Sequence, residues 1–94
     1  MRIRFAPRAR RDLDEIREYL ETRSPAGARN VLRAIRSAVR FVGEQPFGSE
    51  QTDDPTIRVK IVLGFRYKIF YRIREDIIEI VHVRHTSRRP WIGP

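Results

Sequence analysis

Apolar and polar positions alternate along this chain with two different periods, and the change of period divides it into elements. Residues 1–6 alternate, Ile3 and Phe5 against Arg2 and Arg4, which predicts a short half-buried strand. Pro7 follows, suited to a first helical position where a missing N–H costs least. Ala9, Leu13, Ile16 and Leu20 recur at spacings of four, three and four, the inner face of a helix from about Arg8 to Thr22. Its remaining positions, Asp12, Glu15 and Arg17 among them, carry charges of both signs and read as solvated surface. Ser24-Pro25 is a second helix start, a serine N-cap before a proline. Ala28, Val31, Leu32, Ile35, Ala38, Val39 and Val42 form its apolar stripe, and Gly43 and Pro46 are expected to end it. Arg29, Arg33, Arg36 and Arg40 lie off that stripe as a basic ridge, a solvated face first and a target contact second. The link between the helices is so short that they should form an antiparallel hairpin.

Residues 45–56 are rich in Pro, Gly, Ser, Asp and Thr and read as a loop. The period then becomes two. Ile57, Val59, Ile61 and Leu63 alternate with Arg58, Lys60 and Val62, and Gly64 marks a turn. Tyr67, Ile69, Tyr71 and Ile73 alternate with Lys68, Phe70 and Arg72, and Arg74-Glu75-Asp76 suits a hairpin turn. Residues 77–85 form a last strand in which Ile78 and Ile80 share one parity and Val81 and Val83 the other; a β-bulge would reconcile them. The order β-α-α-β-β-β predicts an α+β fold in one domain over residues 1–94. The helical hairpin should pack on one face of a small, mainly antiparallel sheet. Its counter-surface would be Ile3, Phe5, the Ile57–Leu63 alternation and the Tyr67–Ile73 alternation. The opposite face would then show Arg58, Lys60, Arg66, Lys68, Phe70 and Arg72.

Charge sharpens this picture. The formal net charge is +8, which calls for an anionic partner. Residues 8–23 balance five positives with five negatives, whereas residues 56–94 carry nine positives and three negatives. The excess is therefore concentrated, as a binding face requires. The absence of cysteine excludes disulfides, zinc–thiolate sites and thiol nucleophiles, and fits a reducing cytosol. No apolar run approaches the length of a membrane helix, and the arginines near Met1 do not suit a signal peptide, so a cytoplasmic protein without membrane contact is expected.

Three stretches carry a resemblance: Arg66-Tyr67-Lys68-Ile69-Phe70-Tyr71-Arg72-Ile73, Ile78-Glu79-Ile80-Val81-His82-Val83-Arg84-His85, and Thr86-Ser87-Arg88-Arg89-Pro90. In that order they resemble the C-terminal half of RelE/ParE toxins. Ser24-Pro25-Ala26, the long second helix, Gln45-Pro46-Phe47-Gly48 and Ile57-Arg58-Val59 are similar to the ParE branch. The resemblance implies a toxin of a type II toxin–antitoxin pair, held in a hetero-oligomer by a cognate antitoxin whose C-terminal segment wraps it. RelE-like members cleave mRNA on the ribosome; ParE-like members act on DNA gyrase and are not nucleases.

The residues weigh these branches. A metal-free ribonuclease needs a proton carrier and phosphate-binding cations. His85 is the candidate acid or base, with Arg88 and Lys60 or Lys68 for the phosphate. Such nucleases usually keep a proton-transfer group near the C-terminus, where this chain has Trp91. The plain alternative for His85 is a strand-end histidine bonded to backbone carbonyls. His82 and His85, three apart in a strand, point to opposite faces and make a poor metal pair, so no metal or cofactor is expected. Arg84, Arg88, Arg89 and Trp91 form a basic tail with an aromatic anchor, the composition of an interface hot spot. The expected function is thus a non-catalytic, ParE-like inhibitor of DNA gyrase that arrests growth, bound through Arg84, Arg88, Arg89 and Trp91. Two alternatives stand beside it, a ribosome-dependent mRNA endonuclease and an inactive antitoxin-binding module. The basic, partly apolar sheet face of Arg58, Lys60, Arg66, Lys68, Phe70 and Arg72 is the expected antitoxin site, open to an acidic amphipathic segment.

Overall fold

The structure, a computed structural model, describes residues 1–86. β1 (Arg2–Phe5) leads into α1 (Pro7–Glu21) and α2 (Pro25–Glu44), followed by β2 (Glu50–Gln51), β3 (Arg58–Val62), β4 (Tyr67–Arg74) and β5 (Ile77–His85). The strands form one sheet in the order β1-β5-β4-β3-β2. All its pairings are antiparallel except β1 with β5, which is parallel. The architecture is the expected α+β arrangement with one addition: the loop at 45–56 contributes the two-residue strand β2, which continues the sheet beyond β3.

Local signals explain the element ends. Ser24 Oγ accepts the Gly27 N–H at 3.0 Å, the N-cap bond that Ser-Pro promised. Gly43 does not stop α2. It lies in the last turn, where an added Cβ would stand 2.9 Å from Ile3 Cδ1, so it lets the helix end approach β1. Gly64, with φ of +86°, turns β3 into β4, and Glu75 takes positive φ in the turn into β5.

The core lies between the hairpin and one sheet face. Val31, Ile35, Ala38, Val39 and Val42 of α2 and Ala9 of α1 pack on Val62, Tyr67, Ile69, Tyr71, Ile78, Ile80 and Val83. Ile3 and Phe5 join from β1. Tyr71 is fully buried, and its hydroxyl donates to the Pro46 carbonyl at 2.8 Å, tying the segment after α2 to the sheet. Among the described residues, no helix is long and apolar enough to cross a membrane.

The bulge is present. Phe70 faces His82 but Tyr71 faces Ile80, so Val81 is the extra residue, and Ile78, Ile80 and Val83 all reach the core. The face assignment of β3 is corrected. Val62, not Ile61 or Leu63, enters the main core; Ile61 is 47% exposed and Leu63 80%. Lys60 and Arg58 share the helix side with Ile69 and Tyr71, their partners in register. Both lie where the hairpin ends. The Lys60 ammonium sits 4.1 Å from the centre of the Phe41 ring, and the Arg58 guanidinium lies over Phe47 and donates to the Ser49 carbonyl at 2.8 Å. Ile57 and Val59 turn outward to join Phe70 and Val81 in a second, smaller apolar cluster.

Candidate functional site

The sheet face away from the helices is ordered by cross-strand contacts. Arg4, Glu79 and Arg72 stand side by side on β1, β5 and β4. Arg4 Nη2 donates to Glu79 Oε2 at 2.8 Å and Arg72 Nε to Oε1 at 2.7 Å. Burial pushes the Glu79 carboxyl up, but hydrogen bonds from Arg4 and then Arg72, with their charges, outweigh it and hold it below the ordinary glutamate range. Arg72 is thereby committed to an internal partner.

Next along the sheet, Phe70 stacks on His82 with ring centres 5.9 Å apart. His82 is buried at 6% exposure, and its Nδ1 lies 2.6 Å from Asp12 Oδ2. The same oxygen accepts the Val83 N–H at 2.9 Å. The sequence explains why a helix supplies this bond. β1 pairs with β5 only as far as Ile80, then turns into α1. The edge of β5 beyond Ile80 would be left unpaired, and Asp12 meets it with a side-chain acceptor. Asp12 occupies the shoulder of the α1 stripe, one residue before Leu13, and that position was the available signal; reading it as solvated surface missed the contact.

At the far end of the sheet, Lys68 and Arg84 are paired in register on the outer face. Tyr67 and His85 are paired on the helix side, ring to ring at 5.2 Å and edge-on. Thr86 N–H donates to the Arg66 carbonyl at 2.7 Å, and Arg66 is exposed in the turn with φ of 58°. Of the cleavage candidates, Lys60 lies against α2, Lys68 on the opposite face, and His85 at the strand end on the helix side. The sheet thus separates Lys68 from the other two. Of the target-contact candidates, Arg84 is placed at the sheet end, whereas Arg88, Arg89 and Trp91 lie outside the described residues. The proposed antitoxin face is divided: Lys68, Phe70 and Arg72 share the outer face, Arg66 sits in the turn, and Arg58 and Lys60 point to the helix side. Their face was misassigned because β3 was read with the wrong parity. Phe70 is also buried. Among the described residues, no three His, Cys, Asp or Glu side chains form a metal-binding group.

A groove that sequence reasoning did not single out runs between the helices. Its volume is about 680 Å³. Phe5, Leu13, Leu32, Ile35 and Val39 make its apolar floor; Arg10, Arg17 and Arg36 stand on its rim with Asp14. Asp14 is already paired to Arg17 at 2.9 Å, so the rim is net positive.

Comparison with known proteins agrees with this architecture. Residues 3–90 match the family model described as ParE toxin of type II toxin-antitoxin system, parDE. The protein Y4kP of Sinorhizobium fredii is 35% identical over 88 residues, 94% of this chain and 91% of that protein. Toxin RelE3 of Caulobacter vibrioides is 26% identical over 88 residues, 93% of this chain and 96% of that one. A solved chain of the chromosomal ParDE TA system from P. aeruginosa superposes with a TM-score of 0.81 at 17% identity, covering 93% of this chain and 97% of that chain, a likeness of fold.

Proposed function

Since the chain belongs to the ParE toxin family and is the toxin of a type II toxin–antitoxin system, we propose that it arrests growth by binding DNA gyrase without cleaving RNA. One observation favours this reading over the mRNA endonuclease. The described groups that a metal-free nuclease would use are dispersed: Lys60 packs on Phe41, Lys68 lies on the other face, and His85 abuts Tyr67. Catalysis of this kind depends on the proton carrier and one of these lysines converging on the phosphate, and the sheet separates Lys68 from His85. A binding inhibitor has no such requirement. The proposed contact residues are Arg84, at the sheet end, and Arg88, Arg89 and Trp91, which follow it in sequence.

The antitoxin is the partner that membership implies. Its segment, acidic and amphipathic on this reading, fits the helix–helix groove, where apolar floor and cationic rim lie together. The outer sheet face offers less than its sequence suggested, because Arg72 is held by Glu79 and Phe70 is buried. Arg66 and Lys68 remain there as supplementary contacts.

The test is a purified gyrase assay with supercoiled plasmid and ATP, scored for protein-linked DNA breaks. Breaks that disappear on adding antitoxin are expected, unchanged in His85→Ala and lost on deleting residues 87–94. Normal supercoiling, together with mRNA cleavage that needs His85, would overturn the gyrase reading.

A further inference from the structure

The outward face of α2 presents a charge pattern that the core does not account for and that the groove accounts for only at Arg36, on its rim. At about 100° per residue, Arg29, Arg33, Arg36 and Arg40 fall within an arc of about 60° and span about 16 Å of helix axis. All four are exposed. Among the described residues, none of the four takes part in an ion pair. Glu44, in the last turn, is the only acid that α2 carries. Two i,i+4 pairs, Arg29–Arg33 and Arg36–Arg40, place like charges next to each other, which disfavours a helix.

α1 shows what a simply solvated helix surface looks like in this protein. There Arg17 pairs with Asp14 at 2.9 Å and lies 3.9 Å from Glu21, and Arg8 lies 3.9 Å from Asp12. Its charges alternate and largely neutralise one another. The α2 stripe repels itself, and an external anion would relieve that repulsion.

The chemistry of that anion follows from what the stripe lacks. It contains no apolar position, so an acidic protein helix would find nothing there to bury; the apolar floor lies in the neighbouring groove. It contains no aromatic residue on which unpaired bases could stack. A straight row of guanidinium groups on a rigid helix suits an unbroken line of phosphates. We propose that the Arg29–Arg33–Arg36–Arg40 stripe of α2 is a duplex DNA backbone-binding surface, independent of base sequence. It does not depend on gyrase being the target.

The experiment uses the full chain freed of antitoxin and a labelled duplex of mixed sequence, with binding followed by anisotropy across a salt series from about 50 mM upward. The variant is Arg29→Gln/Arg33→Gln/Arg40→Gln, which leaves Arg36 on the groove rim. Arg2→Gln/Arg11→Gln/Arg74→Gln, three other exposed arginines, gives the same net charge. Wild type should bind with a steep salt dependence. The stripe variant should bind roughly 100-fold more weakly at the lowest salt, its log–log slope reduced by about 0.9 for each arginine removed. The control should keep most of the affinity. Three results would overturn the proposal: no binding by wild type at low salt, equal losses in the two variants, or intact DNA binding with weakened antitoxin binding in the stripe variant. Circular dichroism of both variants checks that they fold, and a single Arg33→Glu reversal repeats the test with less disturbance.

Discussion

The two faces of the sheet are made from the same strands but held by different means. On the helix side, Tyr67, Ile69, Tyr71, Ile78, Ile80 and Val83 meet two helices and form one continuous core. On the other side the contacts are discrete: a carboxylate between two arginines, a phenyl ring on an imidazole, and a small group around Ile57, Phe70 and Val81. Area burial stabilises the first face and paired polar groups order the second. A substitution on the inner face should act through volume, and one on the outer face through the partner it leaves behind.

Three substitutions probe that contrast. Ile80→Ala, inside the core beside Tyr71 and Phe5, should cost about 3–4 kcal/mol by transfer and cavity terms together. Urea unfolding measures it, and a loss near 1 kcal/mol would mean that this face is loosely packed. Asp12→Ala removes the acceptor of Val83 N–H and the partner of His82, and should cost about 2 kcal/mol. Hydrogen exchange at Val83 should accelerate in Asp12→Ala while exchange at Ile78, which lies where β1 pairs with β5, changes little; equal acceleration at both would show that the β5 edge beyond Ile80 does not open on its own.

Glu79→Gln should have the smallest effect, about 1–2 kcal/mol near neutrality, since the exposed Arg4 side chain is already solvated. Its pH dependence is the sharper test. The carboxyl is held below its ordinary range when folded, so its contribution is complete above the unfolded value and disappears as pH falls through the folded one. The stability difference between wild type and Glu79→Gln should therefore close in acid. A difference constant with pH would assign the effect to packing.

This division also explains what the sequence disclosed. The helices and β4 were legible because most of their apolar positions face a single core, Phe70 of β4 being the exception that joins the outer cluster. β3 was not. Ile57, Val59, Ile61 and Leu63 form the more apolar parity, yet Ile57 and Val59 serve the outer cluster, while Ile61 and Leu63 are exposed. Arg58 and Lys60 reach the helix side because aromatic rings at its margin accept their cations. Alternation identifies two faces, and here both hold apolar residues, so it cannot say which is which. The bulge at Val81 was legible as a break in parity. Asp12 and Glu79 were not, because His82 and Val83 lie far from Asp12 in sequence and Arg4 far from Glu79; only Arg72 is a near neighbour, across the β4–β5 hairpin. Their signals were local and weak, a carboxylate on the shoulder of an apolar stripe and a single acid within an apolar strand. The groove needed two helices in place before it existed, and no one segment encodes it.

The parallel pairing of β1 with β5 has a consequence for the cell that makes this toxin. β5 lies between β1 and β4, and Arg4 meets Glu79 across 75 residues of chain. At roughly 5–20 residues per second, the first strand waits several seconds on the ribosome for its neighbour. A product that stops before Ile77 lacks the strand that joins β1 to β4, so an interrupted translation leaves the sheet in two parts. The interval before β5 emerges is also one in which the antitoxin can be waiting.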